Sequence, residues 1–424
     1  MSININKFRS ILCAIAFALV ALFSIFRLLS FFHENIPLGL YFNISLLGSV
    51  VAILYLIFEI SVWQSNFSVF LSRSSLISVA MFGFMALAIV LQNVFIDDLL
   101  DYQSRSALRQ AFIIFFFAVT YFFLGSAIQH ININKTSLLI PLILMGYLVF
   151  EIGSNLNDGL VLNFGLMAQN RSEEVKFDHL TIGEPAIILV LMALSISPES
   201  KKYLFFLVGS ACLFALGGRM ALFAYILSWF IYKILIKRSL LKIFLEISLF
   251  VVIIFFTYNF LLNDFDDKLV SRMIFADGFE QDSSSVERDE IFRGGVAALF
   301  DQMLIGDPTF IVRKYGSVGL YIHNILSAWQ FYGLFFFFSL IFAIINVGWW
   351  VKSNISSLDA IVDEFSIRLF VFSVLSLLIG KSINFYLIWL SLGYWLGRMR
   401  LSRGILNSNL YKCMTRFNSK SVSL

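Results

Sequence analysis

His323 and Asn324 stand where a charged stretch gives way to a long apolar run, in Val318-Gly319-Leu320-Tyr321-Ile322-His323-Asn324. A histidine at a boundary between water and membrane can take up a proton near neutral pH. The same position also suits a polar helix cap, and both readings stay open. Arg219 follows the pair Gly217-Gly218 inside an otherwise apolar run. An arginine there requires an anionic partner, which a phosphate or a neighbouring carboxylate supplies equally well. Arg288 and Arg293 belong to a segment whose apolar residues recur at helical spacing, with Arg288 one turn before Phe292. Arginine at a membrane face suits two-pronged binding of a lipid phosphate or diphosphate. A solvated or snorkelling position is the plainer reading, above all for Arg293. Arg272, Arg313 and Lys314 add positive charge to the same stretch.

Other chemistries lack their residues. There is no Gly-Lys phosphate-binding loop, no Cys/His metal spacing and no serine nucleophile elbow. His33-Glu34-Asn35 offers no paired carboxylates for a metal, and Asp264-Phe265-Asp266-Asp267 reads as a solvated loop. The expectation is therefore no metal and no cofactor. No basic cluster lies beside an aromatic platform, so nucleic acid is not expected as a partner. Cys13, Cys212 and Cys413 fall in apolar runs or near the end of the chain and imply no disulfide framework.

The elements that must position these residues are membrane helices. The sequence is 59% hydrophobic and 14% charged, against about a quarter charged in a soluble domain. Apolar runs long enough to span a bilayer predict about 12 helices. They fall near 11–32, 38–60, 76–96, 107–129, 137–153, 181–197, 203–217, 219–236, 240–262, 320–350, 366–380 and 382–398. The first, after Lys7 and Arg9, is too long for a signal-peptide core and reads as a retained helix. Between 203 and 236 a Gly pair followed by Arg is costly in hydrocarbon, so two short helices broken at one surface are expected there.

Lys233, Lys237, Arg238 and Lys242, then Arg398, Arg400 and Arg403, gather on the side that holds both termini. That bias puts both termini inside and two sizeable segments outside. The longer of these, 263–320, lies within one transmembrane domain covering 1–424. It carries Phe292, Val296, Leu299, Phe300 and Met303 at helical spacing after an acidic first turn. That pattern predicts an amphipathic helix lying at the membrane interface.

In this order and spacing the motifs resemble the O-antigen polymerase and O-antigen ligase superfamily of bacterial envelope enzymes. The matching residues are Gly218-Arg219-Met220-Ala221-Leu222, Ser285-Val286-Glu287-Arg288, Leu304-Ile305-Gly306-Asp307-Pro308, and His323-Asn324 with Gly333 beyond. The ligases often have Ser where this chain has Gly218. The resemblance implies an all-α, GT-C-like membrane glycosyltransferase of the bacterial inner membrane that needs no metal. Its donor would be an undecaprenyl-diphosphate-linked oligosaccharide at the periplasmic face, with a chain-length regulator as a further partner. Arg219 and Arg288 would hold the leaving diphosphate and His323 would take the acceptor's proton. Arg272, Arg293, Arg313, Tyr321 and Asn324 would help bind substrate. An imperfect ligase-type arginine motif and a Phe- and Ile-rich composition favour the polymerase. The alternatives are a ligase acting on lipid A core and, from another class, a polysaccharide or lipid transporter.

Overall fold

The computed structural model describes residues 5–33, 47–57, 72–95, 102–128, 139–156, 160–162, 179–237, 245, 246, 248, 283–316, 322–358, 361–400 and 402. Arg272, Tyr321 and nearly all of the expected helix 240–262 lie outside the described residues, as does most of the loop before 283. The described residues are overwhelmingly helical and include no strand. In chain order the helices are α1 (Ile5–Phe32), α2 (Leu47–Ile57), α3 (Arg73–Phe95) and α4 (Tyr102–Ile128). Then come α5 (Leu139–Asn155), α6 (His179–Ile196), α7 (Lys202–Ala215) and α8 (Arg219–Lys237). After the long loop follow α9 (Ser283–Ala298), α10 (Phe310–Tyr315), α11 (Leu326–Asn354), α12 (Ile361–Ile379) and α13 (386–400).

Among the described residues five stretches are long and apolar enough to cross a membrane: Ala14–Phe32, Arg73–Phe95, Arg105–Ile128, Arg219–Ile236 and Leu326–Asn354. Leu76, Val79, Leu87 and Val90 on α3 and Phe335, Phe338, Phe342 and Ile345 on α11 all point outward. These two helices pack side by side, so their outward residues form a continuous apolar surface of the kind that faces lipid. The chain is a helical membrane protein.

α6 is the central post. Residues 186–194 are at most 1% exposed, which marks a helix apolar all round and enclosed by its neighbours. α1, α5, α7 and α12 pack around it. Polar contacts then fix the direction of each helix. Arg27 near the end of α1 meets Glu184 near the start of α6. His33, just past α1, meets Glu151 near the end of α5 at 3.0 Å. Gln92 near the end of α3 donates to the Phe331 carbonyl near the start of α11 at 2.7 Å. These ends share one face of the bundle.

The opposite face carries Lys202, at the start of α7, paired at 2.6 Å with Glu364, at the start of α12. Glu364 also accepts from Arg368 at 2.9 Å, whose guanidinium lies 3.7 Å from the centre of the Tyr232 ring. Removing one member of such a buried set strands the others. Glu364→Gln is expected to cost about 3–5 kcal/mol, read as a lower unfolding midpoint in detergent. An unchanged midpoint would mean that the cations carry their own compensation.

α11 was expected as one run from 320. It begins at Leu326 and is interrupted at Gly333, where φ is 80° and ψ 179°. The cause is the segment 303–307, which lies against the break. Leu334 N donates to Met303 O at 3.0 Å and Asp307 N donates to Gln330 O at 2.8 Å. Gln92 closes the junction by donating to both Ile305 O and Phe331 O. The motif Leu304-Ile305-Gly306-Asp307-Pro308 is therefore a backbone clamp on a broken helix.

The amphipathic segment packs one side against the protein. Ile291 on α9 and Leu299 just after it turn inward, against Ile311 and Ile322. Phe292 (37% exposed), Phe300 (64%) and Met303 (40%) stay outside. The segment has apolar residues on two sides, and the short helix α10 claims the side with the smaller residues.

Candidate functional site

Helix α7 ends at Ala215, Gly217 takes a left-handed conformation with φ 66°, and α8 starts at Arg219. The break expected from Gly217-Gly218-Arg219 is thus present, and it lies on the face that carries Arg27 and Glu184. Beside it opens a pocket. The start of α8 forms one wall through Gly218, Arg219 and Met220. α6 contributes Glu184, α9 contributes Arg288, and the segment joining α12 to α13 contributes Lys381 and Phe385. Arg219 and Arg288 are half-buried.

Among the described residues that line the pocket, three are cations and one, Glu184, is a carboxylate. Glu184 Oε1 accepts from Lys381 Nζ at 3.0 Å, and its other oxygen lies 3.8 Å from Arg27 Nη1. The side chains of Lys381 and Glu184 are each only 15% exposed. The lining therefore carries an excess of positive charge with restricted access to water, where electrostatic attraction is screened least. The first turn of α8 adds the positive end of its helix dipole on the same wall. Such a pocket suits a multiply charged anion.

His323 does not line the pocket, but the turn that bears it is tied through Ser327 to the segment that carries Lys381. Ile383 N donates to Ser327 Oγ at 2.8 Å, and Ser327 Oγ donates to Asn324 O at 2.7 Å. Lys381 and the 323–327 turn are thus tied to the same short segment between α12 and α13. Asn324 Oδ1 accepts from Leu326 N at 2.8 Å. Asn324 thus holds the turn that leads into α11, and half-buried His323 precedes it in that turn.

The remaining expected residues sit elsewhere. Arg313 donates to Asp307 at 2.5 Å, and Asp307 also accepts from Thr309 N at 2.8 Å. This arginine holds the Gly306-Asp307-Pro308 clamp and does not line the pocket. Arg293 pairs with Asp289 at 2.8 Å on the solvated side of α9, at 79% exposure. Glu184, Lys381 and Arg27 were not singled out from the sequence. A signal existed, because ionisable residues within or beside apolar runs are costly and point to sites.

Among the described residues no group of three or more His, Cys, Asp or Glu is placed to hold a metal ion. Compared with models of known protein families the chain matches none, and no curated protein sequence matches it.

Proposed function

We propose that this chain is a membrane glycosyltransferase whose pocket binds the diphosphate of a lipid-linked glycan. The observation that carries the reading is that Arg219 and Arg288, 69 positions apart in the sequence, line one pocket at one face of the bundle. Two guanidinium groups can each grip phosphate oxygens with paired donors. In the reaction an acceptor hydroxyl oxygen attacks the anomeric carbon, and the bond from that carbon to the diphosphate breaks. The diphosphate leaves with its electron pair and an extra negative charge, which Arg219 and Arg288 stabilise. His323 takes the acceptor's proton, so the displacement proceeds with inversion.

The reading extends to a GT-C-like bundle of about 12 spans in a bacterial inner membrane, with both termini cytoplasmic and the pocket periplasmic. The alternation of helix directions among the described residues supports it. The polymerase is the favoured member. It would move an undecaprenyl-diphosphate-linked chain onto an incoming lipid-linked repeat unit, with a chain-length regulator as partner.

The test uses purified protein in nanodiscs given undecaprenyl-diphosphate repeat units and no other acceptor. A ladder of lengthening lipid-linked glycans is expected. Transfer only after lipid A core is added would make the chain a ligase. Silence in both assays would reopen a transport role. In the active assay, His323→Ala is expected to lower the rate by about 10²- to 10⁴-fold while leaving membrane insertion intact. A normal ladder from that variant removes His323 as the base.

A further inference from the structure

We propose that Glu184 is a built-in counter-anion, held where a phosphate group of the ligand binds, and that Lys381 is a third cation for that ligand. The inference rests on reading the pocket as a diphosphate site. It adds two residues and an exchange that the motifs do not contain.

The geometry carries it. Glu184 divides its two oxygens between two cations, Lys381 at 3.0 Å and Arg27 at 3.8 Å, as a phosphate bridging two basic side chains would. An ion pair serving only to join helices could be buried anywhere between them. This one instead faces a pocket that Arg219 and Arg288 also line. Lys381 sits on a non-helical segment between α12 and α13, with its backbone N–H held by Ser376 O at 2.8 Å. The backbone is thereby fixed, while the long side chain can swing its ammonium between carboxylate and ligand. Arg27 is braced from behind, its guanidinium 6.0 Å from the centre of the Tyr386 ring.

In the empty pocket, clustered cations would repel one another across a poorly screened gap. Glu184 relieves that repulsion. When the diphosphate arrives, its oxygens replace the carboxylate as the partner of Lys381. Glu184 then competes with the ligand, so its removal strengthens anion binding. It also helps the ligand leave, because the carboxylate recaptures the ammonium as diphosphate departs.

The test measures the affinity of the full-length protein in detergent for inorganic diphosphate by calorimetry. Lys381→Gln is expected to weaken binding roughly tenfold, and Glu184→Gln to tighten it by a similar factor. Lys381→Arg should keep most of the affinity. The opposite signs matter, because simple damage to the fold would weaken binding in both variants. If Lys381→Gln does not fold, Glu184→Gln alone carries the test. Weaker binding in Glu184→Gln, or unchanged binding in a folded Lys381→Gln, overturns the inference. Should Arg219→Gln and Arg288→Gln abolish binding in that case, the diphosphate reading stands without it. If diphosphate binds to no variant, Glu184→Gln included, both readings fail.

Discussion

Arg288→Ala is expected to lower the initial rate of glycan elongation in nanodiscs by about 10²- to 10³-fold, the loss seen when one donor to a developing anion is removed. The side chain lines the same pocket as Arg219, and on the proposed mechanism the charge it meets grows as the glycosidic bond breaks. Arg288→Lys should recover little of this loss. A single ammonium cannot place two parallel donors on one phosphate, although it restores the charge. Full activity with Lys would show that net charge suffices at this position. Arg219→Ala should cause a comparable loss. The double variant should lose less than the product of the two single effects, since both arginines act on one leaving group. If the two effects multiply fully, the arginines serve separate steps.

Gly333→Ala is expected to damage the fold severely. A methyl group there would lie 2.0 Å from Leu304 O, and the position requires φ of 80°. Neither the carbonyl nor the helix can give way, because Leu334 N is bonded to Met303 O beside it and Gln92 pins Ile305 O from behind. Strained backbone and forced overpacking each cost about 1–3 kcal/mol. The expected result is loss of the monodisperse protein peak, or a much lower unfolding midpoint where some survives. Gly306→Ala should behave similarly, because its added carbon would meet Gln330 O at 2.7 Å. A normal midpoint for Gly333→Ala would mean that the clamp opens without harm.

The break at Gly217-Gly218-Arg219 was legible because the cost of glycines and a charge in hydrocarbon is a local property of the chain. Most described helices lie within a few residues of the expected apolar runs for the same reason. The interruption at Gly333 was not legible. One glycine among Phe and Leu residues says nothing by itself, and only the segment 303–307 lying against it requires the bend. Which side of α9 packs against the protein was not legible, because Ile291 and Ala298 compete with Phe292 and Phe300, and α10 decides between them. In the pocket, Arg219 and Arg288 could be named from their motifs. Glu184 and Lys381 could each have been noticed as ionisable residues in apolar runs, but their pairing could not: they are 197 positions apart, and no periodicity connects them. Arg313 looked like a ligand for substrate because its partner Asp307, six residues earlier, was read only as part of a motif.

Helix α7 has 14 residues, about 21 Å of rise, against a hydrocarbon layer of about 30 Å. A bilayer that surrounds the bundle would have to thin beside α7 to meet this shorter helix. On the function proposed above, a lipid diphosphate in the leaflet at the pocket face would then reach the arginines from the side, with its tail still among its neighbours. Thicker membranes would make that dimple more costly to maintain, so the length of the surrounding acyl chains becomes a control on how often the pocket is filled.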